Sequence, residues 1–297
     1  MMKKHVKGNT RKMIIGKKTS KNEIKDSWTF EIIKYPPDSF NVNSALFDFD
    51  GTISLIREGW QEIMIPYFTE ILMATPNAES ESEIRGIVTE FVDTLTGKQT
   101  IFQCIQLGEE VVKRGGQKCN PFDYKKEYLR RLDEKIKHRI NALATKTADP
   151  LEYLVPGSID LFNELQVNGI KLYLASGTDE ENVLKEARLL GVDKYFSGGI
   201  YGAKDDVMDC SKELVIHKIL KDNNITGEQL ISFGDGYVEI ELVANIGGYT
   251  FGVATDEVRK SGINTWKRDR LVSAGAAAVI PDFTNAKEII DFIKRFS

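Results

Sequence analysis

The sequence predicts a doubly wound α/β core, a Rossmann-like parallel sheet, with an α-helical cap inserted after its first strand. Two observations carry this. Three short apolar runs each stop at a polar or acidic residue beside glycine: Ala45-Leu46-Phe47 before Asp48-Phe49-Asp50-Gly51, Leu172-Tyr173-Leu174-Ala175 before Ser176-Gly177, and Leu230-Ile231-Ser232-Phe233 before Gly234-Asp235-Gly236. Brief apolar runs bounded by turn residues are the pattern of strands buried on both faces. The second observation is distance: 128 positions separate Asp48 from Ser176, far more than one crossover between parallel strands needs.

The elements follow in chain order. Residues 1–40 form a basic N-terminal extension, with ten Lys/Arg against three Asp/Glu up to Lys34; the whole chain carries −4. Such an arm can touch nucleic acid or anionic surfaces, but it has few aromatics to stack on bases, so a solvated or loosely packed extension is expected and nucleic acid is not. Trp28-Thr29-Phe30-Glu31-Ile32-Ile33 alternates enough for a strand or a segment docked on the body, and Pro36-Pro37 breaks the chain before the first core strand. The core is expected over 41–56 and 151–297, and the cap over 57–150. Within the cap, Ile84, Ile87, Val88, Phe91, Val92 and Leu95 share one helical face, as do Leu129, Leu132, Ile136, Ile140 and Leu143. Met64, Phe68 and Phe102 are expected to pack there. After Asp235 come strands at Tyr249–Ala254 and Ala277–Ile280, with a charged surface stretch, Trp266–Arg270, between them.

Composition narrows the setting. Of 297 residues, 41% are hydrophobic and 28% charged, ordinary for a globular protein. No apolar run approaches bilayer-spanning length, and no apolar segment follows the basic start as a secretory leader requires. Three scattered cysteines point to a reducing compartment, and three isolated histidines offer no zinc spacing. A cytoplasmic location is expected, and the oligomeric state is left open.

The chemistry gathers at the strand ends. Asp48 and Asp50 are one residue apart, so on a strand they share a face at the carboxyl end, where open parallel sheets bind ligands. Two close carboxylates repel unless a cation lies between them or one keeps its proton. Ser176-Gly177-Thr178-Asp179 can form an anion pocket at a helix start or simply cap that helix. Asp235 and Glu239 fall together at the mouth of a helix starting near Tyr237 and offer hard oxygens suited to Mg²⁺. Lys212 lies 23 residues before Asp235, where a cation is wanted.

The order Asp48-x-Asp50-Gly51-Thr52, Ser176-Gly177, Lys212, then Gly234-Asp235 with Glu239 resembles the haloacid dehalogenase-like hydrolase superfamily, nearest its phosphoglycolate phosphatase-like members with a helical cap. The resemblance runs from about Asn43 to the C-terminus. It implies a phosphoric monoester hydrolase acting on a small phosphorylated metabolite, a phosphosugar or short phospho-acid, with Mg²⁺. Asp48 would form an aspartyl-phosphate, Asp50 would be general acid and base, and Ser176 and Lys212 would hold the phosphoryl group. Asp48, Asp50, Asp235 and Glu239 would surround the metal, and Thr52 and Gly177 would help bind substrate. Two departures stand out: Glu239 replaces the Asp often found there, and Lys212 lacks a following proline, which leaves Lys204 as its competitor. In the cap, Arg57, Lys98 and Gln99 are candidates for substrate contact, or else a surface arginine and an exposed turn. A phosphomutase with the same intermediate, or a non-catalytic phospho-ligand sensor, are the alternatives. C–halogen hydrolysis has no use for Asp50.

Overall fold

The computed structural model describes residues 28–204 and 212–297. Basic residues before Trp28, and Cys210 and Ser211 ahead of Lys212, lie outside them. A seven-stranded sheet runs in the order β1-β7-β6-β5-β2-β3-β4. Its members are β1 (Glu31–Ile32), β2 (Ser44–Phe47), β3 (Lys171–Asp179), β4 (Gly199–Ala203), β5 (Leu230–Gly234), β6 (Tyr249–Val253) and β7 (Ala278–Ile280). All pair in parallel except β1, which lies antiparallel on β7. The chain builds outward from β2 to one side through β3 and β4, then returns to its other side with β5. The carboxyl end of β2 is therefore the switch point, where the helices before and after diverge and leave a crevice.

Packing explains why β2 is central. Phe47, Phe233 and Phe251 occupy one register row on adjacent strands, with ring centroids 4.7 and 4.9 Å apart. Phe162 and Phe283 close over that row edge-on. Every residue of β2 is buried. At the far edge, Trp28 and Phe30 pack edge-on against Phe292 of the last helix, and Arg268 clamps Glu31. The Trp28–Ile33 segment is thus docked on the body and adds a short strand to it.

Of the five α-helices between β2 and β3, the first four make up the insert: α1 (Gln61–Met73), α2 (Glu81–Leu95), α3 (Thr100–Lys113) and α4 (Pro121–Ala144). Ser80 and Glu83 form a reciprocal cap at α2, and Asn120 with Pro121 starts α4. The chain leaves and re-enters the core along neighbouring paths. Leu55 N donates to Tyr153 O (2.9 Å) and Val155 N to Ile53 O (2.9 Å). Arg139 of α4 ties the outgoing path by donating to the carbonyls of Leu55, Ile56 and Glu58. Buried residues of the cap and of the sheet form one continuous apolar cluster. The remaining helices flank the sheet: α5 (Ser158–Val167), α6 (Glu180–Leu189), α7 (Lys212–Asn223), α8 (Tyr237–Asn245), α9 (Thr265–Ser273) and α10 (Ala286–Phe296).

Candidate active site

The tips of β2, β3 and β5 bring Asp48, Asp50, Ser176, Gly177 and Asp235, with Lys212, to one cavity of about 100 Å³, which Thr52, Gln99 and Glu239 do not line. Asp48 N donates to Phe233 O (3.0 Å), which extends the strand pairing to the first carboxylate. The chain then turns hard at Gly51, whose φ is +78°. A Cβ there would lie 2.3 Å from Asp235 Oδ2, so only glycine allows both the left-handed turn and the approach of the third strand tip.

Asp48 and Lys212 form the centre. Lys212, at the first turn of α7, places Nζ 2.9 Å from Asp48 Oδ1 and 2.6 Å from Glu239 Oε2. Burial alone would lower the Lys212 pKa, but the two carboxylates outweigh it and hold the ammonium charged. Lys204 is 55% exposed and lies beside Glu180 (3.8 Å) on the surface. Burial pushes Asp48 up to about 6, with Lys212 opposing and Asp235 adding to the rise.

Asp50 faces the β3 side. Thr178 Oγ1 donates to Asp50 Oδ2 (2.7 Å), and Ser176 Oγ lies 3.4 Å from the same oxygen. Ser176 Oγ also accepts from Thr178 N (3.0 Å), so β3 kinks there and folds its polar tip inward. Burial raises Asp50 to about 6, partly offset by Arg57, whose Nε lies 3.7 Å from Oδ1.

Several of the expected site residues have protein partners. Arg57 is buried, lines the cavity and commits Nε and Nη2 to Glu186 of α6 (3.1 and 2.7 Å), with Asp50 alongside. Thr52 is fully buried and does not line this cavity; its Oγ1 accepts from Asp235 N (2.9 Å) and fixes the β5 tip. Glu239 spends Oε1 on the Gly236 amide (3.0 Å) and Oε2 on Lys212. Burial raises it to about 7, with Lys212 opposing. It therefore caps α8 and aims the lysine. Trp266–Arg270 lies in α9 and is at the surface as expected, with Trp266 and Asp269 exposed, except that Lys267 reaches in to Asp235 Oδ2 (2.7 Å) and Glu257 (2.5 Å).

The cap closes directly over these tips. A Cβ on Gly177 would lie 2.8 Å from Lys98 O, and one on Gly97 would lie 3.4 Å from Gly236 Cα. The Gly97–Gln99 turn thus rests on the β3 and β5 tips, with Lys98 lining the cavity and Gln99 buried. Gly177 serves that close approach. Lys125 of α4 reaches Asp179 at the end of β3 (2.5 Å), a second tie between cap and core. Trp60, Met64, Tyr128 and Leu132 form the cap-side wall.

The donors suit a hard cation held by few protein ligands. Each of the four expected carboxylates has a protein partner: Asp50 is held by Thr178, Glu239 by the Gly236 amide and Lys212, and Asp48 and Asp235, each beside a lysine, are a pair that lines the cavity. Among the described residues, no three His, Cys, Asp or Glu side chains gather as a metal-binding group. Two carboxylates with the remaining positions filled by water is the coordination Mg²⁺ accepts and zinc does not.

Carboxylates at the switch point of a doubly wound sheet, roofed by a helical insert, define a capped α/β hydrolase-type site. The chain belongs to the haloacid dehalogenase-like hydrolase family, whose pattern it matches over residues 42–247. No curated protein matches it. Solved structures share the fold. A predicted phosphoglycolate phosphatase from Haemophilus somnus is 14% identical with a TM-score of 0.55, covering 84% of this chain and 97% of its own. A phosphonoacetaldehyde hydrolase-like protein from Oleispira antarctica is 16% identical (TM-score 0.55; 86% and 94% covered). A β-phosphoglucomutase from Clostridium difficile is 16% identical (TM-score 0.53; 86% and 99% covered). Among the described residues, no helix is long and apolar enough to cross a membrane.

Proposed function

We propose that the protein hydrolyses a small phosphomonoester through an aspartyl-phosphate on Asp48, with Mg²⁺ as cofactor. One observation supports this most: a buried carboxylate at the switch point lies 2.9 Å from a buried lysine, with a second carboxylate beside it held by different partners. Identical residues in unlike surroundings are how one site obtains both a nucleophile and a proton carrier. Asp48 attacks phosphorus while Lys212, Ser176 and the strand-tip amides offset the charge on the transferring oxygens. Asp50, kept near neutrality by burial, hands its proton to the departing alkoxide and then takes one from the attacking water. Bound Mg²⁺ would be held by Asp48 and Asp235 and would lessen the repulsion between carboxylate and phosphate.

Hydrolysis is favoured over phosphoryl transfer between sugars because Arg57, one of the two cap cations lining the cavity, is engaged by Glu186. A mutase needs an available charge for its substrate's distal phosphate. The deciding measurement is turnover of para-nitrophenyl phosphate by purified protein with Mg²⁺ and with chelator. Activity should need the metal and fall by about four orders of magnitude in Asp48→Asn. Metal-independent turnover, or an active Asp48→Asn protein, would overturn the proposal.

A further inference from the structure

Lys212 and Lys267 stand in matching relations to the site. Each bridges one carboxylate that lines the cavity and one that does not: Lys212 joins Asp48 to Glu239 (2.9 and 2.6 Å), and Lys267 joins Asp235 to Glu257 (2.7 and 2.5 Å). With its carboxylates ionised, each trio carries −1. Lys212 itself reaches the cavity. Lys267 and Glu257 do not line it, so any effect they have on the reaction passes through Asp235.

The carboxyl end of β6 delivers both residues. The chain leaves at Thr255 and returns at Ile263, two residues bridged antiparallel, with Asp256 N donating to Gly262 O (3.3 Å) and Thr255 Oγ1 to Pro281 O (2.5 Å). Asn264 N then donates to Ala254 O (2.7 Å), and Asn264 Oδ1 accepts from Lys267 N (3.1 Å) to start α9. Glu257 on the outgoing limb and Lys267 in the first turn of α9 are thus set toward each other by backbone bonds alone. Their side chains are 20% and 11% exposed, which leaves little water to screen the pair.

Asp235 has other anchors besides Lys267. Its amide donates to Thr52 Oγ1 (2.9 Å), that hydroxyl lies 3.3 Å from Oδ1, and Gly51 lies against the carboxylate. What Lys267 adds is charge. An ammonium beside a carboxylate cancels much of the field that the carboxylate offers a second cation. Glu257, on the far side of the same ammonium, restores part of that field.

We infer that Lys267 and Glu257 set the divalent-cation affinity of Asp235 with opposite signs: Lys267 lowers it and Glu257 raises it. Both act through the metal ligand and neither touches substrate. The inference rests on the reading above, in which Asp48 and Asp235 hold Mg²⁺, and adds to that site a pair of residues from a fourth strand tip.

The test is the melting temperature of the full chain titrated with MgCl₂ at fixed pH and ionic strength, which gives the Mg²⁺ dissociation constant without substrate or turnover. Glu257→Gln leaves the Lys267 ammonium to Asp235 alone and should weaken Mg²⁺ binding roughly tenfold. Adding Lys267→Met to that variant removes the opposing cation, returns the trio to its wild-type charge, and should bring the affinity back to the wild-type value or tighter. A pair that served only as a structural brace would leave the double variant as weak as Glu257→Gln or weaker, and that result overturns the inference. So does an unchanged dissociation constant in Glu257→Gln. Should Glu257→Gln fail to fold, the double variant decides alone, because replacing an ion pair as a unit is tolerated where stranding one partner is not. Affinity at or above the wild-type level then supports the inference, and weaker binding overturns it. Wild-type protein that neither takes up Mg²⁺ nor turns over para-nitrophenyl phosphate removes the phosphatase reading and this inference with it. Wild-type uptake beside a double variant that recovers nothing removes this inference only.

Discussion

Asp48 is held by competing influences that a pH series can separate. Burial raises it to about 6 from an ordinary 3.8, so between those values the folded protein binds more protons than the unfolded chain. Stability from this group is therefore present in acid and declines as pH rises through that window, the reverse of a salt-bridged surface carboxylate. In chelator, urea unfolding from pH 4 to 6.5 should show the wild type losing ground to Asp48→Asn by up to about 3 kcal/mol. A difference that stays flat with pH would mean the carboxylate is not desolvated. Asp48, its neighbour Asp50 and the β5 acid were legible as a cluster because they end apolar runs and sit beside glycines, a pattern set by local sequence. Lys267 was not. It lies 32 residues beyond Asp235 in a run of charges that reads as solvated, and only the packing of α9 against β6 turns it inward. The partners of Glu239 were hidden for a related reason: helix-mouth spacing puts it near Asp235 but does not say that the Gly236 amide and Lys212 will engage its oxygens.

At the scale of elements, α6 controls the acid through Arg57. Glu186 on that helix draws the guanidinium away from Asp50, which leaves Asp50 Oδ1 at 3.7 Å and the carboxyl able to keep a proton. In Glu186→Gln, Arg57 would face Asp50 alone and hold it ionised. Rates for alkyl phosphates, which need a proton on the leaving oxygen, should fall roughly tenfold or more. Rates for para-nitrophenyl phosphate, whose leaving group departs without help, should change much less. Equal losses on both esters would show that Glu186 matters only for folding. The helical character of the cap was plain from its three- and four-residue periodicity. The match between Gly177 and the Gly97–Gln99 turn was only half visible. A polar turn facing the mouth could be guessed from its place between two helices, but a glycine's need for space depends on what approaches it in three dimensions.

Across the whole molecule, cap and core behave as one folding unit. Their apolar residues form a continuous cluster, Lys125 joins Asp179, and Arg139 holds the outgoing linker by three carbonyls. Shared burial couples the cap, inserted through two neighbouring linker segments, to the sheet. Calorimetry of the metal-free protein should give one transition with calorimetric and van't Hoff enthalpies in agreement. Adding Mg²⁺ at about a hundred times its dissociation constant should stabilise the fold by about 2.7 kcal/mol. Two resolved transitions would show that the cap unfolds by itself.

The short β1 segment has a consequence beyond its two residues. It lies against β7, and the Ile33 and Lys34 amides both donate to Ala277 O (2.9 and 3.0 Å), so the outermost row of the parallel sheet is shielded from other chains. β7 is entirely apolar and buried, the composition that recruits foreign strands when laid bare. Trimming the protein up to Pro37 would remove no group from the cavity, yet it would open a sticky flank. Light scattering on that shortened form should reveal growing assemblies under conditions where the parent stays dispersed.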